Sequence, residues 1–151
     1  KYRLISENSG DVIWIMDIGS QKFTYVSPSV YKLRGYTVEE VLNQSMENVL
    51  TPESYQSITE NLPGAIQAFL LGEDSAILQT NRVDQTCKDG SIVHTEVVTS
   101  LLTDEDKNVM GILGVSRDIT KRVEMEEELK NHFRKRKCYL KKFITGLRII
   151  L

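Results

Sequence analysis

Two spacings of apolar residues alternate along the chain, and their order predicts the elements of the fold. Residues 11–18 (DVIWIMDI) carry apolar side chains on both sides of an extended chain, which is typical of a strand covered on both faces. After a turn at Gly19-Ser20, residues 22–27 (KFTYVS) are rich in aromatic and β-branched residues and predict a second strand. The two strands are expected to form a hairpin.

Helical spacing follows, and three capping motifs mark where helices begin. Residues 27–28 (Ser-Pro) and 51–52 (Thr-Pro) each combine a capping hydroxyl with a first-turn proline. Between them, Thr37 and Glu40 have the spacing of a capping box, in which each side chain accepts the other residue's backbone N–H. A block of short helices is therefore expected after the first hairpin.

The last of these helices has one apolar stripe at spacings of three and four residues. The stripe consists of Tyr55, Ile58, Leu62, Ile66 and Phe69. Pro63 interrupts it, and because proline removes a backbone donor and clashes with the preceding turn, we expect a kink or a break there.

From Ala76 onward the apolar period is two, which predicts three more strands. Residues 88–91 (Lys-Asp-Gly-Ser) lie between two alternating runs and are a strong hairpin signal. Residues 91–102 and 109–119 continue the alternation on either side of a polar turn. The predicted fold class is α+β, with a five-stranded antiparallel sheet interrupted by short helices.

Composition limits the chain to one domain with a modest appendage. It has 151 residues, of which 40% are hydrophobic and 26% charged. No apolar run is long enough to span a bilayer, so we expect a cytoplasmic domain, although its parent protein can be membrane-associated. The chain begins with Lys1 rather than Met, which suggests a piece of a longer protein. Cys87 and Cys138 are too few for a disulfide framework.

Charge is distributed unevenly along the chain. Residues 131–151 contain seven bases and no acid, whereas all 21 acids precede them. A basic segment can meet nucleic acid or anionic lipid, but it is more often a solvated helix face. We expect no nucleic-acid partner.

Three local motifs together resemble the PAS family, and the resemblance extends over residues 2–122. They are YVSPSVYKLRGYTVEEVL (25–42), KDGSIVHTEV (88–97) and GILGVSRDIT (111–120), of which the last two resemble the PAC segment. The resemblance implies a five-stranded sheet whose helical flank cups a small cavity. It also implies a sensory and dimerising module, itself non-catalytic, attached to an output such as a histidine kinase or a diguanylate cyclase.

The resemblance identifies no ligand, so the cofactor stays unknown. Haem-binding relatives commonly use a histidine on the long helix, and residues 52–71 contain none. Blue-light flavin relatives use a reactive cysteine on the helical flank, which also has none here. We therefore expect neither haem nor flavin.

Four polar residues are the candidates for contact with a small-molecule ligand. Asn61 and Gln67 lie on the predicted long helix, and Asn81 and Arg82 lie on the third strand. The sharpest form of this hypothesis is an anionic metabolite that reaches Arg82.

No motif for catalysis or a metal site emerges. With Asp89-Gly90 as a two-residue loop, His94 would pair with Gln85 and share a face with Cys87, but two groups are too few for zinc. Two glycines inside the fifth predicted strand weaken it unless something approaches the backbone closely, either a packed side chain or a ligand. They are Gly111 and Gly114.

The last predicted strand passes directly into a helix. Asp118, Ile119 and Thr120 resemble the family's D-I-T signature, and the Asp and Thr side chains can bond nearby backbone and set the exit angle. We expect a sensory domain over residues 1–122, a linker helix and basic tail over 123–151, and a signal that passes between them.

The predicted helix has an apolar heptad register. Its seam positions are Ile119, Arg122, Glu126, Leu129, Phe133, Arg136, Leu140, Phe143, Leu147 and Ile150. This pattern favours a homodimer, with Arg122, Glu126, Leu129 and Phe133 in its first turns. A helix folded back on the domain and a membrane-contacting helix are the second and third alternatives; residues 131–151 can also belong to the next module.

The sequence therefore favours a sensory module that binds a ligand or partner and signals to an output domain of the parent chain. A ligand-free dimerisation or protein-interaction module is the alternative. A fragment of a catalytic domain is disfavoured because no nucleotide-binding motif is present.

Overall fold

Five antiparallel strands form one sheet in the computed structural model, which describes residues 10–73 and 78–150, except for the side chains of 148–150. The strands are β1 (Val12–Asp17), β2 (Phe23–Val26), β3 (Gln79–Thr86), β4 (Ile92–Thr103) and β5 (Val109–Asp118). They lie in the order β2-β1-β5-β4-β3, which places β5 at the centre. The predicted five-stranded antiparallel sheet is confirmed.

Helices occupy the segment between β2 and β3, and one long helix follows β5. They are α1 (Val30–Arg34), α2 (Val38–Leu42), α3 (Met46–Val49), α4 (Pro52–Leu70) and α5 (Thr120–Ile150). The predicted capping box of α2 is present, since Glu40 N–H donates to Thr37 Oγ1 at 3.2 Å and Thr37 N–H donates to Glu40 Oε1 at 2.9 Å. The prediction missed α3, whose box uses Ser45 with Asn48 in place of the usual Glu or Gln.

Pro63 lies inside α4, which continues to Leu70, so the helix does not break there, and a kink at Pro63 stays a prediction. The helix tolerates the proline because residues before and after it face the same core. Tyr55, Ile58 and Leu62 pack against the buried cluster, and Ala65 lines the same side. Tertiary contacts thus outweigh the lost backbone hydrogen bond.

The β3–β4 hairpin has a three-residue loop, and the predicted two-residue loop is wrong. Gly90 N–H donates to the Cys87 carbonyl at 3.0 Å, and Gly90 then takes a positive φ of 89°. A type I turn followed by a left-handed residue is the usual geometry of such a loop. The register changes by one residue, so His94 pairs with Asp84 instead of Gln85.

The core lies between the helical flank and the inner face of the sheet. Its buried members are Val12, Met16, Phe23, Val26, Val30, Val41, Met46, Val49 and Ile112. Gly114 lies beside Trp14 on the paired strand, and a Cβ at Gly114 would lie 2.2 Å from the indole ring. At Gly111 a Cβ would lie 2.7 Å from the Met16 carbonyl oxygen. Close packing of a side chain at Gly114 and of the backbone at Gly111 therefore explains why glycine occupies these two strand positions.

The chain divides into two compact units after Ile119, and α5 forms the second. This division falls three residues before the boundary expected at residue 122, which stays a prediction. Within the described residues, no helix is both long and apolar enough to cross a membrane.

Candidate ligand cavity

A cavity of about 170 Å³ lies within the first unit, between the sheet and the helical flank. All five strands and α1 to α4 contribute lining residues, most of which are apolar. The polar lining residues are Arg34, Asn61, Gln79, Asn81, Gln85, Thr99 and Ser116. A dry apolar cavity of roughly 150 Å³ can hold benzene, so this volume suits a small molecule of about that size.

Strand alternation decides which residues of β3 reach the cavity. Asn81, Val83 and Gln85 line it, and Arg82 does not. Successive side chains of a strand point to opposite faces, so Asn81 and Arg82 cannot both face inward. Arg82 therefore does not line the cavity, and ligand binding by this side chain stays a prediction.

The two candidates on α4 also differ, since one lines the cavity and the other does not. Asn61 lines the cavity from an exposed position, with its Nδ2 donating to the Ser57 carbonyl at 2.8 Å. Gln67 is exposed and is not among the lining residues, because it lies about 140° around the helix from Leu62, which lines the cavity. Ligand binding by Asn61 and Asn81 stays a prediction.

A buried polar network on the inner face of the sheet was not predicted. Trp14 Nε1 donates to Ser116 Oγ at 2.9 Å, and Gln85 Nε2 donates to Ser116 Oγ at 3.3 Å and to Thr95 Oγ1 at 3.1 Å. Gln85 is 6% exposed and Ser116 is 2% exposed. The alternation of β3 and β5 was the available signal for both, but their polarity suggested a solvent-facing side.

The Thr95 hydroxyl fixes the orientation of the Gln85 amide. It donates its single proton to the Val83 carbonyl at 2.8 Å and must therefore accept from Gln85 Nε2. Gln85 Oε1 then accepts no hydrogen bond from the part of the chain that the structure describes. The network leaves one acceptor on a residue that lines the cavity.

Arg34 is the charged residue among those that line the cavity, and it is only 2% exposed. Its Nε donates to the Thr86 carbonyl at 2.8 Å, its Nη1 donates to Gln44 Oε1 at 3.2 Å, and its guanidinium lies 4.7 Å from the centre of the Tyr36 ring. Its Nη2 is buried and has no hydrogen-bond partner within the described part of the chain. Burial lowers the pKa of Arg34 because desolvation disfavours the charged form.

Sequence reasoning also missed Arg34, which lies in a short helix where a base is usually solvated. One signal was available: Arg34 follows Val30 by four residues and therefore shares its helix face. Val30 is buried, and Arg34 is buried with it.

The predicted junction residues lie at the end of β5 and the start of α5. β5 ends at Asp118 and α5 begins at Thr120, so Ile119 alone connects them. Ile119 is 3% exposed and its N–H donates to the His94 carbonyl at 2.9 Å. Ile119 therefore belongs to the core of the first unit, and it is not an exposed seam position of the helix.

The described part of α5 carries many exposed apolar side chains. They are Met125, Leu129, Phe133, Tyr139, Leu140, Phe143, Ile144 and Leu147. Arg122 and Glu126 of the predicted seam are also exposed. Dimer pairing through this helix stays a prediction.

His94 and Cys87 do not converge. His94 Nδ1 lies 2.6 Å from Asp84 Oδ1, and the Cys87 thiol lies 3.8 Å from the Leu33 carbonyl oxygen. Among the described residues, no three His, Cys, Asp or Glu side chains are grouped so that they could hold a metal ion.

Comparison with known proteins agrees with this architecture. Residues 1–119 match the family model of the PAS fold. The chain belongs to the PAS family. It is a PAS sensory domain, and PAS domains are generally non-catalytic sensory modules.

Individual relatives show how far the likeness extends. A methyl sulfide methyltransferase-associated sensor of Methanosarcina acetivorans is 29% identical over 126 residues, which cover 83% of this chain and 12% of the relative. The PAS domain of a Colwellia psychrerythraea protein is 24% identical, with a TM-score of 0.63 and coverage of 74% of this chain and 88% of that one. A sensory box histidine kinase/response regulator of Burkholderia thailandensis is 17% identical, with a TM-score of 0.63 and coverages of 85% and 92%.

Proposed function

We propose that this PAS domain is the input module of a signalling protein and binds a small ligand in its cavity. The binding signal passes through α5 to an output domain of the parent protein, a histidine kinase or a cyclic-dinucleotide enzyme, and the domain itself lies in the cytoplasm. The cavity of about 170 Å³ inside the core carries this proposal. The relatives named as sensors support it.

The central strand β5 supports a route from the cavity to the helix. Ile112 and Ser116 of β5 line the cavity, and the same strand ends at Asp118, next to the Ile119 connection. A ligand that favours one arrangement of β5 therefore favours one arrangement of the junction. The ligand can shift this equilibrium only by the difference between its affinities for the two arrangements.

The exposed apolar face of α5 supports output through a parallel helix pair. Leu129 and Phe133 would pack at the seam, as a and d residues do in coiled coils. Parallel pairing would also bring Arg122 beside Arg122 and Glu126 beside Glu126, which destabilises the first turns of the seam. A weak stretch makes a change of helix register easier.

Mass spectrometry of small molecules released from protein purified from its own host tests the ligand. We expect one compound to be retained in stoichiometric amount. Ala65→Phe is the matched control, because Ala65 lines the cavity and a phenyl ring there fills it. Wild-type protein that releases no compound would remove the basis of the ligand-binding proposal.

Cysteine crosslinking before and after addition of the released compound tests transmission. In a Cys138→Ser background, Leu129→Cys lies on the predicted seam and Asn131→Cys lies on the outer face of the same helix. We expect crosslinking at Leu129 only, with a yield that changes on ligand addition. Equal yields at both positions would argue against the helix pair.

A ligand-free dimerisation or protein-interaction module is the second candidate function. The exposed apolar side chains of α5 favour it, since association through them needs no occupied cavity. Crosslinking at Leu129 in protein that releases no compound would select this alternative.

A further inference from the structure

Arg34 is a buried cation whose two hydrogen-bond acceptors among the described residues are both neutral. It is 2% exposed, and its partners are the Thr86 carbonyl and the Gln44 amide oxygen. Among the described residues, no Asp or Glu lines the cavity beside it. Because a charge in an apolar interior is costly without a counter-charge, this arrangement calls for an anion that the described chain does not supply.

The Nη2 nitrogen of Arg34 is the donor that this arrangement leaves unsatisfied. It is buried, and it has no hydrogen-bond partner among the residues that the structure describes. Arg34 is also one of the residues that line the cavity, so a molecule in the cavity is adjacent to this side chain. The planar guanidinium fork matches a carboxylate better than it matches a spherical anion.

The other lining residues of the cavity indicate the chemistry of the rest of the ligand. Its walls are mainly Val, Leu, Ile, Met, Trp and Phe side chains, so the body of the ligand is apolar. Of the described residues, one arginine and no lysine line the cavity, which suits a single negative charge. Gln85 Oε1 remains available to a ligand hydroxyl or amine.

We infer that the cavity takes a small monocarboxylate, an acid with an apolar body of about benzene size whose carboxylate pairs with Arg34. This inference rests on the ligand-binding function proposed above and names the chemical class of the ligand.

Binding of two molecules of the same shape tests this class. Cyclohexanecarboxylate carries the charge, and cyclohexanecarboxamide replaces it with a neutral amide. Trp14 is the single tryptophan of the chain and lines the cavity, so its fluorescence reports occupancy in the full chain. A charge-assisted hydrogen bond predicts that the acid binds roughly tenfold or more tightly than the amide at pH 7.

Two arginine variants test which positive charge causes the preference for the acid over the amide. Arg34→Gln is expected to reduce the acid-to-amide preference to about one, because the carboxylate then meets no cation. Arg82→Gln removes the same charge from the opposite face of β3 and is expected to leave the preference unchanged.

Equal affinities for acid and amide in the wild-type chain would overturn the inference, and so would a preference that survives Arg34→Gln. In both results a molecule still binds in the cavity, so neither result contradicts the proposed function. Failure of both probes to bind would overturn the inference, while the released-compound experiment still decides the proposed function. If Arg34→Gln does not fold, the wild-type acid-to-amide ratio decides alone, since it needs no variant.

Discussion

Gly114 determines where the indole of Trp14 can lie. The two residues are paired across β1 and β5, and the ring occupies the space that a Cβ at Gly114 would take. Trp14 in turn lines the cavity and donates to Ser116. One missing methyl group therefore positions a wall of the cavity and part of its polar network.

Gly114→Ala is expected to lower the free energy of unfolding by about 1–3 kcal/mol, because the new methyl group overpacks a rigid ring. Urea denaturation measures the loss, and Trp14 fluorescence reports displacement of the ring. An unchanged midpoint would contradict the packing role.

Gly64→Ala is the matched control for this substitution. Gly64 lies in α4, and beyond the adjacent residues and the helix's own backbone no described atom lies within 4 Å of its hypothetical Cβ. Alanine there is expected to raise the free energy of unfolding by about 0.5–1 kcal/mol, since it reduces the freedom of the unfolded chain.

Glu40 joins the capping box of α2 to the β3–β4 loop. Its carboxylate accepts from Lys88 Nζ at 2.8 Å and from the Thr37 N–H at 2.9 Å. The hydrogen bond from Lys88, and then that from Thr37, hold the pKa of Glu40 below its ordinary value of 4.5. The ionised form is thus the one that the folded state stabilises.

Glu40→Gln is therefore expected to destabilise the protein at neutral pH and to have less effect in acid. A lowered folded-state pKa contributes stability above the unfolded value and loses it as the pH falls through the folded-state value. Urea titrations at pH 7 and at a series of values below 4.5 should show the two chains converging. Glu39→Gln controls for the loss of one negative charge, and a gap that persists in acid would count against this account.

Among the elements, α4 keeps a proline in its interior. Pro63 is exposed, and the helix passes through it from Pro52 to Leu70. The missing N–H and the ring clash with the preceding turn therefore persist in the folded protein, compensated by the core contacts of the apolar stripe.

Pro63→Ala is expected to raise the free energy of unfolding by about 1–3 kcal/mol, because alanine restores the backbone hydrogen bond. Thermal and urea unfolding measure the gain. Pro52→Ala at the first turn of the same helix is the control, where the missing N–H has no intrahelical partner in any case and little change is expected. Destabilisation by Pro63→Ala would show that the proline sets a needed helix geometry.

At the scale of the whole molecule, the strand order gives β5 two neighbours and two roles. It pairs with β1 and β4, lines the cavity, and is separated from α5 by one residue. The same strand therefore meets both the ligand that we propose and the helix that we propose as the output.

Removal of residues 123–151 is expected to convert a dimer into a monomer, because the exposed apolar residues of α5 are then lost. Equilibrium sedimentation of the full and shortened chains measures the change. Leu129→Lys with Phe133→Lys in the full chain should have the same effect, and Asn131→Lys should not. A full chain that sediments as a monomer at tens of micromolar would refute the helix pair.

The sequence predicted more of the fold than of the site. Alternation and capping signals are local, and they identified the sheet, the α2 box and the beginning of α4. Of the four proposed ligand contacts, Asn61 and Asn81 line the cavity, whereas Gln67 and Arg82 do not. Strand alternation by itself shows that Asn81 and Arg82, which are consecutive on β3, cannot both face the cavity.

The sequence by itself determined the five strands and the helical block, because periodicity, caps and turn residues act over a few positions, and three motifs resembled the family. Only the tertiary structure decided the register at Asp84 and His94, the burial of Arg34, and the network of Trp14 and Ser116. Trp14 and Ser116 are 102 positions apart in the chain, and Arg34 and Thr86 are 52 apart. Contacts of that range depend on how complete elements pack, so a local pattern can indicate a buried face but not the residue that lies across from it.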